Sequence, residues 1–173
     1  MIFRDAGAAD APAVAEFHAR IWHQTYRDLA PPVAIARLDV AHRLRQWAAA
    51  LADPPSQTVI LAETAGEIAG MVSFGAPGHA VFAGRGEVTH LYVDPAQRGL
   101  GLGGRLLARA HGRLLAAGYP GMALAVVRQN AGARAFYTAL GGVEAAGFTD
   151  AGPLWKSDNL AVVWGATPPG PSR

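Results

Sequence analysis

The 173-residue chain contains no cysteine. That absence removes disulfides, thiolate metal ligands and a cysteine nucleophile together, and it suits a cytoplasmic protein. Lysine is almost missing as well: Lys156 is the only one, so the positive charge is carried by arginine. No signal peptide is expected, because Arg4 and Asp5 stand where an apolar segment would be needed. No membrane span is expected either, since the uncharged stretch 114–127 is short and interrupted by Gly118, Pro120 and Gly121. The six histidines form no pair with carboxylates at ligand spacing, so no metal site is expected. With 51% apolar and 16% charged residues, the composition is that of a soluble, folded domain.

One further absence is local. Between Asp94 and Glu144 there is no acidic residue, yet Arg98, Arg105, Arg109, Arg113, Arg128 and Arg134 fall in that stretch. The rest of the chain holds nine basic against thirteen acidic residues. Such asymmetry points to an anionic ligand at that segment, with a solvated arginine-rich face as the plainer alternative. The arginines do not alternate with exposed aromatics, so no nucleic acid is expected as a partner.

Periodicity gives a coarse order of elements. A short strand at Ile2–Arg4 precedes a helix capped by Asp10, with Pro12 in its first turn and Val14, Phe17, Ile21, Trp22 and Tyr26 at helical spacing. A second helical region runs from about Ile35 to Leu51 and stops before Pro54 and Pro55. Strands at Thr58–Glu63 and Glu67–Phe74 are joined by the hairpin signal Ala65-Gly66. A strand at Glu87–Val93, a helix at Gly101–Ala117, an apolar strand at Met122–Val127 and a helix at Asn130–Leu140 follow, and strands at about Val143–Phe148 and Leu160–Trp164 close the order. The expected architecture is α/β, a mixed sheet covered by helices, forming one domain over residues 1–166 with a frayed tail at 167–173.

The chemistry concentrates at Val93-Asp94-Pro95-Ala96-Gln97-Arg98-Gly99-Leu100-Gly101-Leu102-Gly103-Gly104, where a strand passes through a glycine-rich turn into a helix. Glycines let main chain approach a bulky anion, and the free N–H groups of a helix start point at it. Gly99-x-Gly101-x-x-Gly104 formally fits a dinucleotide fingerprint, but no acidic residue follows between Arg105 and Gly142 to hold a ribose. A P-loop is excluded because no Gly-Lys-Ser/Thr follows. A purely structural glycine turn is the remaining alternative.

Two blocks at fixed separation carry a resemblance. Arg98-x-x-Gly101-x-Gly103 after Val93-x-Pro95, together with Asn130-x-x-Ala133-x-x-Phe136-Tyr137-x-x-x-Gly141, resembles the paired motifs of the general-control-related N-acetyltransferase (GNAT) superfamily. Gly141-Gly142 departs from the usual Gly-Phe. The resemblance implies a mostly antiparallel mixed sheet whose fourth and fifth strands splay apart, with acetyl-CoA entering the gap. It implies main-chain contacts to the pantetheine arm from Leu91, Tyr92 and Val93, and a diphosphate cradle at Arg98, Gly99, Leu100, Gly101, Leu102, Gly103 and Gly104. Asn130 would contact CoA, and Tyr137 would protonate the departing thiolate; the alternative for Tyr137 is an amphipathic core tyrosine beside a buried Phe136. Glu87 resembles the general-base position of several members, the alternative being a surface glutamate at the strand edge.

Strand alternation would put Glu87, Thr89, Leu91 and Val93 on one face and Val88, His90 and Tyr92 on the other. Burial on that strand would raise the Glu87 pKa. Trp22 and Tyr26, on one face of the first helix with His18, would border the acceptor pocket with Trp155, unless the stripe is core packing. The implied function is transfer of an acetyl group from acetyl-CoA to a primary amine of a small molecule or peptide N-terminus, by direct attack in a ternary complex. Protein lysine acetylation and a non-catalytic acyl-CoA sensor are the alternatives. Dimerisation is frequent in the family, so a homodimer is a possible assembly.

Overall fold

The computed structural model describes residues 1–52 and 56–170. Pro54, Pro55 and the last three residues of the expected tail lie outside the described residues.

The elements run β1 (Ile2–Asp5), α1 (Ala11–Tyr26), α2 (Pro32–Arg37), α3 (Val40–Ala50), β2 (Thr58–Thr64), β3 (Glu67–Gly75), β4 (Gly86–Val93), α4 (Leu102–Ala116), β5 (Met122–Val127), α5 (Ala131–Ala139), β6 (Val143–Thr149) and β7 (Asp158–Trp164). The second helical region is two helices, not one. Leu38 leaves helical geometry at ψ 51°, and the Asp39 carboxylate then accepts from the His42 N–H and starts α3. Asp10 precedes α1 but its carboxylate does not cap that helix; it accepts from the Gly7 N–H and pairs with Arg4.

The seven strands form one sheet in the order β1-β2-β3-β4-β5-β7-β6, antiparallel throughout except for the parallel β4–β5 pair. Alternation sorts the side chains into two cores. Ile60, Val72, Phe74, Val88 and Leu124 face α4, where Leu102, Leu106, Leu107, Ala110 and Leu114 are buried. Val59, Leu61 and Met71 face α1 and α3, where Val14, Phe17, Ile21 and Trp47 complete the second core. Burying each such side chain contributes roughly 1.5–3 kcal/mol. The β2–β3 hairpin turns through Ala65 and Gly66, both at positive φ (51° and 83°), as a two-residue turn of that type requires.

Two irregularities of β4 shape the site. It pairs with β5 only at Gly86–Met122, Glu87–Ala123 and Val88–Leu124, after which the strands part. Opposite β3 the register shifts: Phe74 pairs with Val88 and Ser73 with His90, so Thr89 is an extra residue. This bulge changes the expected alternation. Val88 and Leu91 share the α4 face, while Glu87, His90 and Tyr92 share the opposite one. Glu87 and Leu91, expected on one face, lie on two.

Glycine supplies a test of this packing. A Cβ at Gly121 would collide with the main chain of Trp164 and Gly165, which cannot yield, whereas one at Gly112, in mid-α4, meets nothing within 4 Å. Gly121→Ala is expected to destabilise by at least about 2 kcal/mol. Gly112→Ala should stabilise by roughly 0.5–1 kcal/mol. Denaturant midpoints of the two variants check both signs.

Candidate active site

The parting of β4 and β5 opens two cavities that share a wall. The first, about 530 Å³, lies where the glycine turn, the end of β4 and the start of α5 converge. The second, about 510 Å³, lies among α1, α3 and the β6–β7 loop. Tyr26 and Tyr92 line both.

The main chain of β4 is available to a ligand in the first cavity. The Asp94 N–H bonds back to Ala69 O at 2.9 Å, so alternation leaves the N–H and C=O groups of Leu91 and Val93 facing the gap. Gly99 and Gly101 sit at φ +74°, and Gly101 is the N-cap of α4, where it has no side chain to cap with. The N–H groups of Leu102, Gly103 and Gly104 precede the first helical bond, from Arg105 to Gly101 O, and so remain for a ligand. Gly103 has a further reason to lack a side chain: its Cβ would stand 2.9 Å from Phe136 Cζ. Arg98 lines the cavity and its Nε donates to Val93 O.

Of the expected CoA residues, Leu91, Tyr92, Val93, Arg98, Gly99, Gly101, Leu102, Gly103, Asn130 and Tyr137 line this cavity. Leu100 is 68% exposed and outside it, and Gly104 faces Leu140. Asn130 also has a local task, its side-chain oxygen accepting from the Ala133 N–H as the N-cap of α5. Phe136, expected to be buried, is exposed and leans over Gly103. Tyr137 packs against the α4 core and the Trp164 ring, and enclosure pushes its phenol well above the ordinary tyrosine value. Ile21, Thr25, Gln97, Gly132 and Ala133 also line it, and the sequence motifs assign no role there to Thr25, Gln97 or Gly132.

The arginine excess resolves differently from the expectation. Arg113 pairs with Asp5, Arg128 with Asp158 and Arg134 with Glu144. Arg105 and Arg109 lie over the Phe3 ring. Their acidic partners come from elsewhere in the chain, which a linear charge map cannot show. Of the six, only Arg98 lines the cavity.

Trp22, Tyr26 and Trp155 do converge, as the walls of the second cavity. Trp155 meets Tyr26 at 5.5 Å and Trp22 at 6.3 Å between ring centres, both edge-on. His18 does not join them. It is buried under Tyr92, with its Nδ1 accepting from Trp47 Nε1 at 3.0 Å. Glu87 lines neither cavity; its carboxylate accepts from the Gly78 N–H at 2.6 Å and so holds the loop after β3. The structure therefore does not bring Glu87 and Tyr137 together.

Against this geometry, the Acetyltransferase (GNAT) family matches the chain over residues 18–141. The chain belongs to the GNAT family. A curated relative, the L-methionine sulfoximine/L-methionine sulfone acetyltransferase of Pseudomonas paraeruginosa, is 33% identical over 147 residues, covering 80% of this chain and 77% of that protein. Two solved structures share the fold with a TM-score of 0.69 each. One is an acetyltransferase from Salmonella typhimurium with its cofactor acetyl-CoA, at 24% identity over 100% of this chain and 98% of its own. The other is an N-acetyltransferase from Thermoplasma acidophilum in complex with coenzyme A, at 17% identity over 93% and 98%. This GNAT protein is thus an acetyl-CoA-dependent acyltransferase, and the sensor alternative falls away. The uncapped start of α4, the open edge of β4 and the two left-handed glycines fit that cosubstrate. Among the described residues no cluster of His, Asp and Glu could hold a metal ion, and no helix is long and apolar enough to cross a membrane.

Behind the shared wall this GNAT enzyme keeps two neutral histidines. His18 and His90 meet edge-on at 4.7 Å between ring centres, and His90 Nδ1 lies 2.8 Å from Ser73 Oγ. Burial first, and then neighbouring positive charge, lowers both; His90 falls from the ordinary 6.5 to about 3 and His18 further. The unfolded chain takes up these protons as pH drops below about 6.5, while the folded chain does not. Stability is therefore full above that value and lost progressively below it, by up to ~1.4 kcal/mol per pH unit for each histidine. Melting temperature should fall between pH 7 and pH 5, above the range where carboxylates titrate. His18→Gln, which retains an acceptor for Trp47, should flatten the slope; an equal slope in the variant contradicts the assignment.

Proposed function

We propose that this acyltransferase acetylates the primary amine of a small molecule by direct attack in a ternary complex, with residues 1–166 acting as one domain in the cytoplasm. The observation that carries this reading is the pair of cavities meeting at Tyr26 and Tyr92, one fitted to acetyl-CoA and the other walled by aromatics. A cavity of about 510 Å³ suits a small acceptor better than a protein lysine on a folded surface. The relative that acts on L-methionine sulfoximine and L-methionine sulfone supports a small acceptor too.

When bound, acetyl-CoA supplies an activated thioester. The open main chain of Leu91 and the Val93 N–H would align the arm that carries it, and the free amides of α4 with Arg98 would hold the diphosphate. Tyr137 Oη keeps its proton across neutral pH, the state an acid needs; it would release that proton to the sulfur as the C–S bond breaks, and the proton lost by the newly acylated nitrogen would restore it. Direct transfer is supported by the lack of cysteine and by the engagement of Ser73 Oγ with His90 and Thr89. Trp22, Tyr26 and Trp155 enclose the acceptor. Glu87 fits a positioning part, holding the Gly78 loop, better than the general base.

Thiol release measured across amines, amino acids and N-terminal peptides tests the proposal; release with small amines is expected, and none with any acceptor contradicts it. Tyr137→Phe should lower kcat at least ~10-fold with acetyl-CoA affinity nearly unchanged. Glu87→Gln should leave the acidic limb of the rate–pH profile in place, and loss of that limb would return the base role to Glu87.

A further inference from the structure

Arginine 43 is out of place by ordinary rules. It sits on α3 at 6% exposure, in the wall of the second cavity. Among the described residues no carboxylate comes within pairing distance of it, whereas Arg4, Arg113, Arg128 and Arg134 all have one. A buried guanidinium without a counter-ion is costly, so the fold retains it against its own stability.

Its hydrogen bonds show what is missing. Nη1 donates to Gln46 Oε1 at 2.9 Å, which fixes the plane of the group. Nε has no partner and is sealed from water. Nη2 makes no bond among the described residues. That leaves Nη2 as the N–H group that can meet a carboxylate oxygen from the cavity. The Trp22 ring lies 5.5 Å from the Arg43 guanidinium and restrains it from a second side.

The other titratable groups around this cavity do not supply the missing charge. His42 and, behind it, His18 and His90 are neutral or positive, and Tyr26 and Tyr92 are held protonated by burial. Asp150, on the β6–β7 loop, accepts from the Gly152 N–H at 2.8 Å and forms no ion pair with Arg43. The charge must then arrive with the ligand.

We propose that Arg43 is a specificity-determining residue that holds the carboxylate of the acceptor, so that the acceptor is a small amino acid, its amine toward the shared tyrosine wall and its side chain against Trp22 and Trp155. This rests on the small-amine reading above and narrows it to one class.

The experiment compares thiol release, with the full chain and acetyl-CoA, for a panel of L-α-amino acids, their carboxamides and simple alkylamines. At least one acid should exceed its carboxamide at least ~10-fold in kcat/KM, the worth of a lost charged hydrogen bond. Arg43→Met should erase that preference through KM while acetyl-CoA affinity by calorimetry stays at the wild-type value. Because the buried charge is removed, the variant's Tm should equal or exceed wild type. Carboxamides or alkylamines used as well as acids would overturn the carboxylate anchor and leave the small-amine reading standing. No release with any acceptor from folded, CoA-binding protein would overturn both. A marked fall in Tm for Arg43→Met would indicate a structural role and overturn the proposal; the acid-to-carboxamide ratio of the wild-type enzyme decides the question without any variant.

Discussion

Two neighbouring parallel strands that stop pairing after three residues govern most of what this protein can do. Between Gly86 and Val88 the β4 main chain is satisfied by β5; beyond Val88 it has β3 on one side and an open edge on the other. An open edge lining a cavity is unfavourable unless something pairs with it. In the proposed function the extended arm of a thioester would be that partner, and the same parting opens the second cavity. Both cavities, the glycine turn at the end of β4 and the position of Tyr137 follow from that one geometry.

The bulge at Thr89 is its companion. An extra residue in β4 turns Tyr92 toward α1 and α3, where it becomes part of both cavity walls, and turns Glu87 to that face as well. Without the shift, the order of side chains along the strand would place a different set in the gap.

How much of this was legible depended on whether the cause was local. The glycine turn and the helix that follows it are set by residues within one or two turns of chain, and they stand where the sequence puts them. So do Trp22 and Tyr26, because helical spacing fixes a common face. The bulge at Thr89 was hidden, since an inserted residue leaves no mark in an alternating pattern; the face assigned to Glu87 followed from that. The arginine-rich segment misled for a different reason. Asp5, Asp158 and Glu144 come to it from β1, β7 and β6, so charge separated along the chain is paired in space. Arg43 carried no signal at all, because its burial is created by α3 packing against α1.

The tyrosine wall has a consequence for the order of events. Tyr26 and Tyr92 line both cavities. A ligand that settles on one side fixes the ring positions that the second ligand meets. With the proposed donor and acceptor in the two cavities, their binding free energies would be linked, and each would change the affinity for the other by the same factor. In the proposed function, a partition of shared side chains would let the loading of one pocket prepare the other.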